Sequence, residues 1–577
     1  MVGVPAMPPL IASLAHRLSP STPMTLPQVL RLLPFAIFHL AALAIMVAIE
    51  NGPVRMLVYL LTWGLINFAW LVLLRRPVVA AGLSLTVFTG VIWVSRFKHQ
   101  MLWMTANFMD LMIIDAETVA FLWKILPEVR VIGLVAAVVA IPILVLLWRV
   151  DPWRVRRRIA AASAAACFAA LVAVSFAFPL EEGEVFADDN NISIFMRSGV
   201  EAVHILATQG YLEADAEVTE RLKLSGEEAC HPAGKRPHII LLHDESSFDI
   251  RAVNGIKVPP GYGTHFRSFD GTARTLLVEG AGGPSWYTEY NVLAGLSSRS
   301  FGRFQFFVTR IAAGRVSRGL PHALRRCGYR TFSIYPVFGG FLGTRSFYKG
   351  AGVENFIDGQ DIRGGVLEPD RFYFDYAARM IAHERARAPM FLHVYLTANH
   401  FPYEFPFRPE LTPKSWRDPG NAMSEVNEYL RRQAMTERDY KDFVARLQRE
   451  FPGEAFLIVR FGDHQPNFAK FIIDPGIGSE ELGRRIMNHD PRYYSAYYAI
   501  DAINFRPVNL SSALDVLDAP YLPLVVQEAA GLPLDASFAE QKRILQRCRG
   551  LFYACSNGAE ARRFNRLLIE AGLIKGH

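Results

Sequence analysis

The run FLIVRFGDHQP, residues 456–466, is apolar until Gly462 and then presents Asp463 and His464 side by side. A carboxylate and an imidazole at the end of a buried strand can share a divalent cation, and the same pair also serves as an ordinary turn or ion pair. Its chemistry therefore depends on partners elsewhere. The run HIILLHDESS, from His238, ends on Asp244 and Glu245. Successive strand residues face opposite sides, so at most one of these points into a given site unless the chain turns there; Glu245, which begins the turn, is the better candidate. Further on, EGAGGPSWYTEYNVLAGL is a glycine-rich loop running into a helical pattern. Such a loop offers backbone N–H groups and a helix N-terminus to an anion. Ser285 sits where loop becomes helix. Its hydroxyl either caps the helix or acts as a nucleophile deprotonated by a bound cation. Thr288 is the alternative nucleophile, disfavoured because it lies one turn into the helix.

These side chains need a scaffold that gathers strand ends. From residue 237 onward short apolar runs alternate with helical stretches, and His238–Leu242, Thr331–Tyr335, Met390–Thr397, Phe456–Phe461 and Tyr497–Ile500 read as strands. The pattern predicts a mostly parallel, three-layer α/β domain over 237–577, long enough to bury its own core. Open α/β sheets place their chemistry beyond the carboxyl ends of such strands, where Asp463 and His464 fall.

The first third of the chain is built differently. Apolar segments at about 30–49, 54–74, 77–95, 131–149 and 159–178 each approach the ~20 residues that cross ~30 Å of hydrocarbon. They predict a five-helix transmembrane domain over 1–180. Residues 1 to about 28 carry no small-residue cleavage site after a short apolar core, so the first segment is expected to stay as an anchor. Arg75-Arg76 and the Arg149–Arg158 cluster fall in the second and fourth connections. A cytoplasmic N-terminus makes both connections cytoplasmic and places everything after residue 179 outside. Between the third and fourth spans, Lys98, Asp110, Asp115, Glu117, Lys124 and Glu128 are interleaved with apolar residues. That stretch reads as one or two interfacial amphipathic helices or as an extramembrane loop. Residues 181–236 form a linker with an amphipathic stretch from about 193 to 223. No span carries the intramembrane charges of an ion or substrate path, which argues against a transporter.

Composition agrees with a membrane portion joined to a water-soluble one: 51% of 577 residues are hydrophobic and the mean hydropathy is +0.17. The net charge of +7 does not mark a nucleic-acid surface, because the basic clusters lie at the ends of apolar segments. Five cysteines are too few for a disulfide framework, although Cys548 and Cys555 are close enough to pair in an oxidising compartment.

Together, the strand ending in Glu245, the loop with Ser285 four residues before Glu289, the run LTANHFPYEFP with His400, and the final GDHQP resemble the alkaline-phosphatase and sulfatase superfamily. Within it they look most like the membrane phosphoglycerol transferases typified by lipoteichoic acid synthase and the periplasmic-glucan phosphoglycerol transferases. Five spans followed by an extracytoplasmic catalytic domain are also that family's layout. The resemblance implies that Glu245, Ser285, Asp463 and His464 bind one divalent cation, manganese, magnesium or zinc, and that His400 contacts the transferred group or its leaving oxygen. It further implies an inner-membrane enzyme taking a phospholipid donor, phosphatidylglycerol, and a glycan or glycolipid acceptor by way of a covalent phosphoseryl intermediate. Two departures stand out. The transferases usually carry Thr where this chain has Ser285, which keeps a hydroxyl, and often a His where it has Tyr335, so headgroup recognition differs there. Arg345, in FLGTRSFYK, offers forked donors to a phosphate or headgroup, or is a solvated surface residue.

Three other functions fit parts of the pattern. A phosphoethanolamine transferase shares the fold, the spans and the metal-bound hydroxyl. A sulfatase needs Cys or Ser followed by x-Pro-x-Arg, whereas Ser285 is followed by Trp-Tyr-Thr-Glu. A non-catalytic membrane scaffold would use the same residues structurally.

Overall fold

The structure is a computed structural model. It describes residues 26–577 except 103, 115, 117–118, 121–122, 124–126, 152, 187, 219–220, 223–229, 231–233, 366 and 577. The expectations for residues 1–25, Asp115, Glu117 and Lys124 lie outside the described residues. Contacts divide the chain into two units. One holds the described residues up to 95 with 131–179 and 189–197; the other holds 96–130, 180–188 and 198–577.

The first unit is built on apolar helices: α1 (Leu26–Ile49), α2 (Pro53–Leu74), α3 (Pro77–Leu102), α4 (Pro127–Val150) and α5 (Arg157–Ala177). Five spans were expected. Among the described residues three helices, Pro53–Leu74, Pro77–Gln100 and Arg157–Ala177, are long and apolar enough to cross a membrane. In α1 and α4 the described apolar portions are Leu33–Ile49 and Gly133–Arg149. Aromatic edges fill this unit's interior, with Phe88 meeting Tyr59 at 4.9 Å and Trp63 at 5.2 Å. The two basic connections are tied to each other. Arg76 donates to the carbonyls of Trp148 and Asp151, while Asp151 Oδ2 accepts from Val78 N at 2.8 Å at the start of α3.

In the second unit, Lys98 pairs with Asp110 at 2.8 Å and lies over the Phe306 ring. The expected amphipathic stretch from about 193 to 223 is shorter as a helix, α6 (Asn191–Thr208). It stops before Gly210, whose φ of +79° suits glycine.

The core of this unit is one eight-stranded sheet in the order β4-β3-β5-β1-β6-β7-β2-β8. The strands are β1 (His238–Asp244), β2 (Arg274–Leu277), β3 (Arg330–Ile334), β4 (Asn355–Ile357), β5 (Met390–Leu396), β6 (Phe456–Gly462), β7 (Ser495–Ile503) and β8 (Val516–Asp518). Every neighbouring pair is parallel except the two that β7 makes with β6 and β2. The mostly parallel α/β expectation therefore holds, with a reversed β7 that the apolar runs did not encode and three short strands that went unread. Central β1 is buried along its whole length, as a strand covered on both faces must be. Its residues alternate between two cores. Ile239 and Leu241 join Leu457, Val459 and helix α7 (Ser285–Ala294) on one face, while Ile240 and Leu242 join Leu392, Ile458 and helices α8 (Asp370–Glu384) and α9 (Ser424–Glu450) on the other. Each such aliphatic or aromatic side chain contributes about 1.5–3 kcal/mol by leaving water. Two disulfides, Cys230–Cys327 and Cys548–Cys555, staple the unit. The second is the pair expected from spacing, and the first corrects the view that cysteine is too sparse to crosslink the fold.

Candidate functional site

The site grows from the carboxyl ends of neighbouring strands β1 and β6, where Asp244 lies opposite Gly462. Beyond Asp244 the chain turns at Glu245 and Ser246, and beyond Gly462 it turns at Asp463 and His464. The two turns come together because position 462 has no side chain: a Cβ there would stand 1.9 Å from the Ser247 carbonyl oxygen. Asp463 Oδ1 then accepts from two backbone amides, Ser246 N and His464 N, each at 2.8 Å, which fixes its carboxylate.

Ser285 arrives from the glycine-rich loop as the first residue of α7. Pro284 holds the N-cap position and makes no side-chain capping bond. The hydroxyl of Ser285 does not cap the helix either. Its Oγ donates to Glu245 Oε2 at 3.2 Å and lies 3.1 Å from His464 Nε2. One turn on, Thr288 Oγ1 is spent on the Asp463 carbonyl at 2.7 Å, which docks α7 onto the β6 turn. Glu289 accepts from the Tyr348 hydroxyl at 2.9 Å, and burial pushes its carboxyl up to about 7.

The four residues are closed off from water, Asp463 fully and Ser285 to 8% exposure. Burial pushes the Glu245 carboxyl up, but the His464 imidazole 3.3 Å away outweighs it and holds the group well below the usual carboxylate range. Burial likewise pulls His464 down, and the Asp463 and Glu245 carboxylates overcome this and raise it to about 9. Glu245 is steadied by Ser246 Oγ at 2.9 Å and by the Tyr395 hydroxyl. Burial, then the nearby carboxylates, keep Tyr395 well above its ordinary value, so it remains a phenol and a donor.

Donor chemistry and spacing both fit a divalent cation. His464 Nε2 stands 3.3 Å from Glu245 Oε1, 3.5 Å from Asp463 Oδ2 and 3.1 Å from Ser285 Oγ. Ligand atoms bonded at about 2.0–2.2 Å to one ion lie about 3.3–3.6 Å apart in a tetrahedron and about 2.8–3.1 Å apart at right angles. Asp463 Oδ2 is moreover buried without an aligned hydrogen bond, a state that costs about 1–3 kcal/mol or more unless something else pairs with it.

Other candidates fall outside this cluster. His400 follows β5, and its Nδ1 lies 2.7 Å from the Phe401 carbonyl, which places the neutral ring's proton on that nitrogen. Buried Arg432 of α9 pins the loop by donating to the carbonyls of His400 and Pro402 at 2.7 and 2.6 Å. His400 touches Glu245 only through space, as one of the charges lowering its pKa. Tyr335 is buried, with its ring against those of Tyr395 and Tyr348. Arg345 is paired with Asp358 and lies over the Phe356 ring, its side chain 37% exposed. Asp244, facing the opposite side of the sheet, accepts from Tyr497 and pairs with His265. Sequence reasoning missed Tyr395 and His243. The second carried a signal, since residues 243 and 245 share one side of an alternating strand.

A family model described as Sulfatase matches residues 283–497, which include Ser285, Asp463 and His464. An uncharacterized protein of Haemophilus influenzae is 26% identical over 210 residues, 34% of this chain, so the chain spans only 37% of that relative's length. Among solved structures, the Streptococcus pyogenes phosphoglycerol transferase GacH, in complex with sn-glycerol-1-phosphate, is similar with a TM-score of 0.45 at 13% identity, covering 61% of this chain and 89% of that one. The lipooligosaccharide phosphoethanolamine transferase A (EptA) of Neisseria meningitidis, an integral membrane protein, is similar with a TM-score of 0.45 at 11% identity, covering 84% of this chain and 96% of that one. Over residues 283–497 the chain thus matches a sulfatase-family domain.

Proposed function

We propose that the protein is a membrane phosphotransferase that moves a phosphoglycerol headgroup from phosphatidylglycerol to a cell-envelope glycan or glycolipid. The observation that carries this reading is the position of Ser285 Oγ, released from helix capping and set 3.2 Å from Glu245 Oε2 and 3.1 Å from His464 Nε2. Glu245, Ser285, Asp463 and His464 would hold one divalent ion. When bound, the ion lowers the pKa of the Ser285 hydroxyl and neutralises charge on a phosphoryl oxygen, two effects worth several kcal/mol of barrier. The chain's own residues do the rest. Ser285 Oγ forms a bond to phosphorus in line with the bond to the diacylglycerol oxygen, which breaks. His400, protonated on Nε2 as well as on the Nδ1 that faces the Phe401 carbonyl, gives that leaving oxygen its Nε2 proton. An acceptor hydroxyl then attacks the phosphoseryl diester and releases Ser285. In this second half-reaction His400 regains a proton from the acceptor hydroxyl, while Ser285, which loses its own proton when the ion binds, leaves as the alkoxide. Arg345 offers the headgroup a guanidinium shared with Asp358, and Tyr335, buried, packs edge-on against Tyr395.

Five spans, with α1 and α4 completing those read from length and apolarity, would place the catalytic unit beside the outer leaflet on the periplasmic side. The two disulfides suit an oxidising compartment, and the basic connections suit a cytoplasmic face. Proteolysis of right-side-out vesicles should release the region after residue 180; complete protection reverses the topology. The decisive test of function is mass spectrometry of Ser285 after incubation with phosphatidylglycerol or phosphatidylethanolamine. A phosphoglycerol adduct from the first lipid supports the reading, a phosphoethanolamine adduct from the second reassigns the donor, and an unmodified Ser285 under turnover removes the covalent step.

A further inference from the structure

We infer that His243 is a fifth donor to the same cation, through Nε2. The inference rests on the metal reading above. His243 is the penultimate residue of β1, on the side that carries Glu245, and its side chain is fully buried. Its ring plane is set by Tyr395, the residue opposite it on β5, which stacks on it at 3.8 Å with 12° between the planes. The same Tyr395 donates to Glu245, so one phenol orients two arms of the site.

The contact that matters is between His243 Nε2 and Asp463 Oδ2, 2.9 Å apart. At that distance an N–H donor and a carboxylate would ordinarily form a strong hydrogen bond. Here neither atom has a partner with hydrogen-bond alignment, although both are completely buried. A cation shared by the two lone pairs would account for this geometry, since ligands about 90° apart on bonds of about 2.0–2.2 Å are separated by about 2.8–3.1 Å. Donor atoms of His243, Glu245 and Asp463 all lie within 4.8 Å of one another. Adding His243 gives two imidazoles, two carboxylates and a hydroxyl. Imidazole nitrogen suits zinc and its transition-metal neighbours, whereas magnesium keeps to oxygen and water, so each imidazole shifts selectivity away from magnesium.

The test uses the full chain in detergent, stripped of metal and reloaded with Zn2+, and counts imidazole ligands by X-ray absorption. Wild type is expected to show two, and His243→Gln and His464→Gln one each. His243→Gln is also expected to bind Zn2+ 10- to 100-fold more weakly, with Mg2+ affinity changed less than threefold, an effect of the size seen when a metal site loses orientation or a donor. Stoichiometric zinc with a single imidazole in the wild-type protein overturns the assignment of His243 and leaves the four-residue site standing. Less than a tenth of an equivalent of zinc in wild type overturns both. Because the wild-type count decides the matter, a misfolded variant does not rescue the inference.

Discussion

Gly462 and the Ser247 carbonyl are in such close approach that a methyl group on the glycine would lie 1.9 Å from the oxygen and 2.9 Å from the carbonyl carbon. This contact holds the β6 turn, with Asp463 and His464, against the β1 turn, with Glu245. The obstacle is backbone, which cannot rotate away as a side chain would. Gly462→Ala should therefore separate the two halves of the site. Displacement by about 1 Å is worth roughly 100-fold in rate, and overpacking adds about 1–3 kcal/mol of destabilisation. Gly453→Ala, with nothing near its Cβ, is the control. Equal transfer rates for the two variants would show that the turns have room to adjust.

Ser285→Ala removes the hydroxyl without touching a helix cap, because Ser285 caps nothing. Folding should be unchanged and transfer should fall on the order of 10^3-fold or more, the scale seen when a covalent nucleophile is deleted. Ser285→Thr keeps the hydroxyl and should retain measurable transfer and a covalent adduct. Turnover by the alanine variant at the wild-type rate would move the nucleophile elsewhere.

Asp463→Asn preserves an oxygen for the Ser246 and His464 amides, each now 2.8 Å from Oδ1, while removing the charge. Its thermal midpoint should stay close to wild type. Its Zn2+ affinity should fall by more than about 100-fold, beyond the range typical of residues that only orient a ligand. Wild-type zinc stoichiometry at micromolar metal would relocate the site.

What could be read in the sequence was whatever is local. The central strands are contiguous apolar runs, and Glu245 and the Asp463-His464 pair come straight after one each, so the strand ends and the candidate ligands are visible together. Strands β2, β4 and β8 have only three or four residues, too few for a period to register. The reversal of β7 is decided by its partners, not by its composition. His243 lay in the quoted run, but its relevance depends on Tyr395 stacking from another strand. The Cys230–Cys327 bond joins residues 97 apart, a pairing that spacing does not specify. Ser285 reads in the sequence as either cap or nucleophile, and only the three-dimensional helix start, with Pro284 at the N-cap, removes the first.

The two disulfides should differ in value. In the chain-entropy account, closing a loop restricts the unfolded ensemble more as the loop lengthens. For separations of 97 and 7 residues the difference is about 2 kcal/mol. Replacing Cys230 and Cys327 by Ser should lower the thermal midpoint of the second unit clearly more than replacing Cys548 and Cys555. Equal losses would show that native packing around each bond, rather than loop length, sets its contribution.

Asp518, at the end of edge strand β8, gives a pH signature remote from the candidate site. Burial pushes its carboxyl up to about 7, more than the Phe552 amide, 2.6 Å from Oδ2, pulls it down. Between the ordinary unfolded value of about 3.9 and about 7, the unfolded chain has released a proton that the folded chain keeps. Stability from this group therefore falls as pH rises through that window and is fully lost above it, with an upper limit of about 4 kcal/mol. Asp518→Asn cannot ionise and keeps an oxygen for the Phe552 amide. Other titrating groups are common to both proteins, so they cancel in the comparison. Thermal midpoints of the full chain in detergent should drop from pH 5 to pH 8 by several degrees more in wild type than in Asp518→Asn, and the variant should be the more stable protein at pH 8. Parallel pH profiles would mean that Asp518 is ionised in the folded protein, with solvent reaching the edge of β8.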